Sequence, residues 1–142
     1  MAKDIISLQD FLNPEVGETE REVHLSRFAS PFIIHPITEA ENADLEKRAT
    51  RKVKSKAGND TKELNVELYM NLLMLNCLDE RILSILKNEE VQAMYNSHGS
   101  QIDTLKNMLR PGEYRELFAQ VQEINGFNED SDLVEDVEDI KE

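Results

Sequence analysis

Tryptophan is absent from the chain, cysteine occurs once, and Phe and Tyr together supply only 6% of 142 residues. The single thiol, Cys77, excludes an internal disulfide framework and fits a reducing compartment. Five scattered glycines form no phosphate-cradling loop, and Gly112 in Arg110-Pro111-Gly112-Glu113 reads as a turn. No apolar run approaches the roughly 18 residues needed to cross a bilayer. Met1 to Ser7 lack the apolar stretch of a signal peptide, which points to the cytoplasm. Basic charge is also scarce, with 16 Lys and Arg against 29 Asp and Glu and a net of -13. That balance disfavours nucleic acid, whose binding rests on neutralising phosphates, and it disfavours an anionic membrane surface.

What remains is an aliphatic, strongly charged chain of one-domain length, 39% hydrophobic and 32% charged. A core of Leu, Ile, Val and Met suits helices packed on helices. The expected fold is mainly α with a small N-terminal β-hairpin (α+β), organised as an arm (1–20), one globular domain (21–127) and an acidic tail (128–142). Ile5, Leu8, Phe11 and Leu12 have the spacing of a short amphipathic helix, which Asn13-Pro14 ends. Two readings of the arm stand: it packs on the body, or it docks on a partner or a neighbouring subunit.

Glu22-Val23-His24-Leu25 alternates polar and apolar, and Pro31 to Ile37 is β-branched and bounded by prolines, so the two predict a hairpin. Such a hairpin is marginal alone and must lean on helices. Thr38 with Glu41 three residues on forms a capping box, and the spacing predicts a helix from about Glu39 to Lys54. Its increasingly basic end complements the helix dipole, and Ala57-Gly58-Asn59-Asp60 then reads as a flexible break. Asn65 caps a second helix whose pattern runs through Leu68, Leu72 and Leu75, with a kink near Cys77-Leu78-Asp79. Shorter helices follow at Glu89–Tyr95 and around Ile102–Leu109. A last helix carries Tyr114, Leu117, Phe118, Val121 and Ile124 and stops at Asn125-Gly126. Residues 128–142 hold eight acids and one lysine, a net of -7, a composition expected to be disordered when free.

Little points to chemistry. His24, His35 and His98 lack metal-ligand spacing, although His24 and His35 would be able to face each other across the hairpin. Cys77 lies in an apolar helical stretch without a basic neighbour to lower its pKa. No pair of carboxylates is marked by contrasting surroundings, as acid–base work requires. No enzyme activity and no cofactor are expected. The segment Lys47–Lys62 holds seven basic residues and one acid, a net of +6. Three readings apply to it: a solvated helix end and loop, a nucleic-acid patch, or a surface complementary to an acidic partner, the acidic tail included. The second lacks aromatic residues for stacking, and the chain's overall field opposes it.

Several strings in order resemble the XkdN-like tail assembly chaperones of contractile-tailed phages and phage-derived particles. They are His35-Pro36-Ile37-Thr38-Glu39-Ala40-Glu41-Asn42, Arg51-Lys52-Val53-Lys54-Ser55-Lys56, Asn65-Val66-Glu67-Leu68-Tyr69, Leu105 to Tyr114 and Val121 to Phe127. The resemblance spans about residues 20–135. One departure is that Leu78-Asp79-Glu80-Arg81 follows Cys77 where the family usually has a proline-containing step. The resemblance implies a protein that binds the tape measure protein and keeps it soluble before the tail tube polymerises; the alternative is a structural tail adaptor retained in the particle. Self-association is a further expectation. The candidate groove is the last two helices around Arg110-Pro111-Gly112, with Leu105, Met108, Leu109, Tyr114 and Phe118 as its walls or, equally, as core.

Overall fold

Strands of three residues hold together only when something completes their edges, and this fold completes them with a broken helix. The computed structural model describes residues 5–15, 17–54 and 58–127. Strand β1 (Arg21–Val23) pairs antiparallel with β2 (Phe32–Ile34), with Val23 opposite Phe32 and Arg21 opposite Ile34. Val23, Phe32 and Ile34 are all buried, and Phe28 packs edge-to-face on Phe32 at 5.3 Å. The other edge of β2 is closed by Leu78, which bridges to Ile34. His35 donates its backbone N–H to the Cys77 carbonyl (2.8 Å), and Asp79 donates to that of Ile33 (3.0 Å).

That bridge explains the kink expected near Cys77. Leu78 adopts an extended conformation between helix α3 (Val66–Cys77) and helix α4 (Glu80–Leu86), and Asp79 caps α4 by accepting the Arg81 N–H (2.9 Å). No proline is required, because strand pairing holds the break open. Beyond α4 come α5 (Glu89–Met94), α6 (Gln101–Met108) and α7 (Pro111–Ile124), while α1 (Leu8–Leu12) precedes the hairpin. Pro111 starts α7 where its missing N–H is harmless, and Gly126 just past the end takes φ +87, a left-handed conformation.

Helix α2 (Glu39–Ala49) begins at the expected capping box. Glu41 donates its N–H to Thr38 Oγ1 (3.1 Å), and the Glu41 carboxylate accepts from the Thr38 N–H (3.1 Å). Asn65 likewise accepts the Leu68 N–H (3.0 Å) at the start of α3. The end of α2 corrects the sequence reading. The helix stops at Ala49, and Thr50–Lys54 form strand β3, paired antiparallel with β4 (Asp60–Leu64). Thr50 turns its hydroxyl onto the Glu46 carbonyl (2.7 Å), while Asn65 donates its N–H to the Ala49 carbonyl (2.9 Å). These contacts end the helix and lock the base of the new hairpin. Thr50, Val53 and Thr61 are β-branched, and Gly58 at φ +82 lies in the connection between the strands.

The core is aliphatic. Leu73, Met74, Cys77 and Leu78 meet Leu86, Leu105, Leu117 and Val121 in one cluster with Ile34 and Leu45. Tyr69 is fully buried, and its hydroxyl donates to Asn42 Oδ1 (2.5 Å) across α2 and α3. Burial pushes that phenol up to about 12. Asn125 closes the far side. Its side-chain oxygen accepts the Ile37 N–H (2.9 Å) and its amide donates to Cys77 Sγ (3.3 Å), so α7, α3 and the approach to α2 share one residue.

Because Ile34 lies between two hydrogen-bonded neighbours and is 0% exposed, its truncation creates a cavity where the β1–β2 hairpin meets the broken helix. Ile34→Ala is expected to cost about 2–5 kcal/mol, and Ile33→Ala on the half-buried face markedly less. Urea unfolding of both variants measures the difference.

Candidate partner-binding surfaces

The α6–α7 unit is assembled as a rigid corner. Arg27, in the β1–β2 connection, donates from Nε and Nη2 to the Glu113 carboxylate (2.7 and 2.6 Å) and also from Nη2 to the Met108 carbonyl (2.9 Å). Glu113 accepts in addition the Arg110 N–H (2.7 Å), which ties the turn to the start of α7. The Arg27 guanidinium, followed by that N–H, holds the Glu113 carboxyl at about 2, well below the usual range. On the neighbouring surface Tyr114 and Phe118 stack nearly parallel at 6.4 Å, and the Lys106 ammonium lies 5.8 Å from the Tyr114 ring and 3.6 Å from Glu67.

Of the five candidate groove residues, Leu105, Leu109 and Phe118 are buried in the core. Met108 and Tyr114 are half-buried and pack on its edge. The structure therefore brings the five together, as three core side chains and two that keep an accessible edge.

A second apolar surface is far more open. Helix α1 is a single capped turn in which Asp10 donates its N–H to Ser7 Oγ (3.3 Å) and its carboxylate accepts the Ser7 N–H (2.9 Å). None of its residues is buried. Ile5, Ile6, Leu8, Phe11 and Leu12 are 65–83% exposed, and the arm is not packed into the core. A helix this short is marginal in water unless its apolar face is covered. Its pattern was readable in the sequence; which of the two readings of the arm holds was not, since local spacing says nothing of what a face meets.

The third surface is a groove of about 400 Å³ between α2 and the β3–β4 hairpin. Ala43, Thr50 and Leu64 lie along it with Glu46, and the cations Lys47, Arg51, Lys52 and Lys62 surround it. Sequence reasoning saw the charges but placed them on a helix end, and so missed the groove.

No metal-holding cluster forms among the described residues. The β1–β2 register carries His24 and His35 past opposite ends of the ladder, so they do not face each other. No group of three His, Cys, Asp or Glu residues there is placed to hold a metal ion. Burial pushes the Cys77 thiol up to about 11, far from the thiolate a nucleophile needs. No helix among the described residues is long and apolar enough to cross a membrane.

The described residues form a helix-rich fold with a short hairpin and with open apolar and basic surfaces. The fold is similar to that in the crystal structure of the protein YqbN, with a TM-score of 0.58 over 88% of this chain and 100% of that one. At 22% identity the likeness concerns the fold alone. No curated protein matches the chain. The model of the phage XkdN-like tail assembly chaperone proteins matches residues 8–141, and the chain belongs to that family.

The Arg27–Glu113 pair has a consequence in acid. Glu113 titrates lower in the fold than its ordinary 4.5, so its ionised form stabilises the native state fully above that value. The contribution is lost as pH falls from about 4.5 towards 2. Glu113→Gln is expected to lower the urea midpoint at pH 7, and the gap from the unmodified protein should close across that window. A gap constant down to pH 2 would contradict this.

Proposed function

We propose that the protein binds the tape measure protein and keeps it soluble in the host cytoplasm before the tail tube polymerises around it. The observation that carries this reading is the exposed arm: five large apolar side chains on and beside a capped helical turn, outside the core. Such a segment fits a partner that presents its own apolar helical surface, because each Leu or Phe buried between the two contributes roughly 1.5–3 kcal/mol before ordering costs. Family membership supports a protein partner.

On this reading residues 1–20 act as the arm, 21–127 as the body that carries it, and 128–142 as a separate acidic segment. Met108 and Tyr114, the two half-buried residues of the α6–α7 corner, add a second contact. The protein's high negative charge keeps the complex dispersed by like-charge repulsion.

Co-expression with the tape measure protein tests the proposal. The unmodified chain is expected to raise the soluble fraction of the tape measure protein and to co-purify with it. The triple variant Leu8→Asp, Phe11→Asp, Leu12→Asp should lose both effects while its own stability stays within about 0.5 kcal/mol, as for exposed substitutions generally. Failure of the unmodified chain to co-purify would overturn the proposal. Recovery of the chain in stoichiometric amounts from finished particles would favour a structural adaptor instead.

A further inference from the structure

Lys52 and Lys62 are direct cross-strand partners in the β3–β4 ladder, and both line the groove against α2. Like charges directly opposite each other destabilise a strand pair, so this hairpin carries a local conflict in its fold. The acids of β4, Asp60 and Glu63, stand opposite Lys54 and Arg51 rather than opposite either lysine. Lys47, Arg48, Arg51, Lys52, Lys54 and Lys62 are exposed, and none forms an ion pair within 4.0 Å among the described residues. Arg21, Arg27, Arg81 and Lys106, by contrast, are each paired with a carboxylate. Four of these unpaired cations, Lys47, Arg51, Lys52 and Lys62, line one groove together with the buried Leu64.

The same chain holds a segment of opposite sign. Residues 128–142 carry eight acids and one lysine, and Leu133, Val137 and Ile140 recur at the i, i+4, i+7 spacing of an apolar stripe. Its starting point is fixed by the fold. Asn125 is bonded to Ile37, and Phe127 lines a cavity with Thr38 and Glu39, which places the end of the body beside the first turn of α2. The groove opens at the last turn of α2, where Lys47 and Thr50 lie. An 11-residue helix is about 16 Å long, and five extended residues cover that distance. Five residues of chain past Phe127 are therefore long enough to span from the end of the body to the groove.

We propose that the acidic segment of residues 132–140 docks in the groove between α2 and the β3–β4 hairpin of its own chain, with its carboxylates against Lys47, Arg51, Lys52 and Lys62. Docking relieves the repulsion between Lys52 and Lys62 and withdraws the chain's main basic patch from other polyanions, nucleic acid included. Because the contact is electrostatic and lies at the surface, added salt weakens it. The inference does not depend on which protein the arm binds.

A nitroxide spin label tests it in the full chain. With Glu142→Cys, the label goes to the new thiol, since Cys77 is buried and its thiol is held neutral. At about 50 mM salt, paramagnetic broadening of amide signals should concentrate on Arg51–Lys54 and Asp60–Leu64 and fall at least twofold at about 0.5 M. The pair Lys52→Glu, Lys62→Glu keeps a like-charge pair in the ladder but reverses its sign. It should abolish the broadening while the cross-strand signals of the hairpin persist. Broadening spread evenly over the body, or unchanged by the reversal, would overturn the proposal. So would broadening that appears when spin-labelled, unenriched chain is mixed with unlabelled ¹⁵N-enriched chain, which would place the segment on a second copy.

Discussion

Strand β2 is hydrogen-bonded along both edges, to β1 on one side and to the Leu78 break on the other, and much of the architecture follows from that. Had the chain stayed helical through Leu78, β2 would present an open edge and α3 would run on into α4. The break instead turns α4 away, and α4 then packs with α6, whose turn into α7 is pinned by Arg27 from the β1–β2 connection. Arg21 of β1 reaches α7 as well, donating to Gln120 (2.6 Å) and pairing with Glu123 (3.3 Å). Three residues of strand thus set the relation of helices far apart in sequence.

Such a core leaves few polar groups inside it. Ser97 and Thr104 are buried and bonded to each other, and Tyr69 and Asn125 have named partners. Cys77 is buried as well, its thiol pushed up to about 11. Asn71 Oδ1 is buried without a hydrogen-bond partner among the described residues, while apolar residues on the arm and positive charge around the hairpin groove lie outside. The family to which the chain belongs is that of the phage XkdN-like tail assembly chaperones.

Local signals were legible in the sequence where chemistry is local. Thr38 with Glu41, Asn65, and Gly126 act within three or four residues of themselves, and each does in the fold what its residue type predicts. The segment Thr50–Lys54 was misread because its charges suit a helix C-terminus as well as they suit a strand. The Thr50 hydroxyl on Glu46 and the partner strand ten residues on decide the matter, and the second of these is not local. Leu105, Leu109 and Phe118 show the complementary ambiguity. Helical spacing marks an apolar face but not whether the core or a partner meets it, and here the core does.

The central claim is that the arm is what engages the tape measure protein. Hydrogen–deuterium exchange on the full chain, free and in complex with that protein, tests it most directly. The account predicts new protection concentrated at Ile5–Leu12, with lesser change around Met108 and Tyr114 and little in the already buried core. Protection confined to other surfaces, with the arm exchanging as freely in the complex as alone, would contradict it.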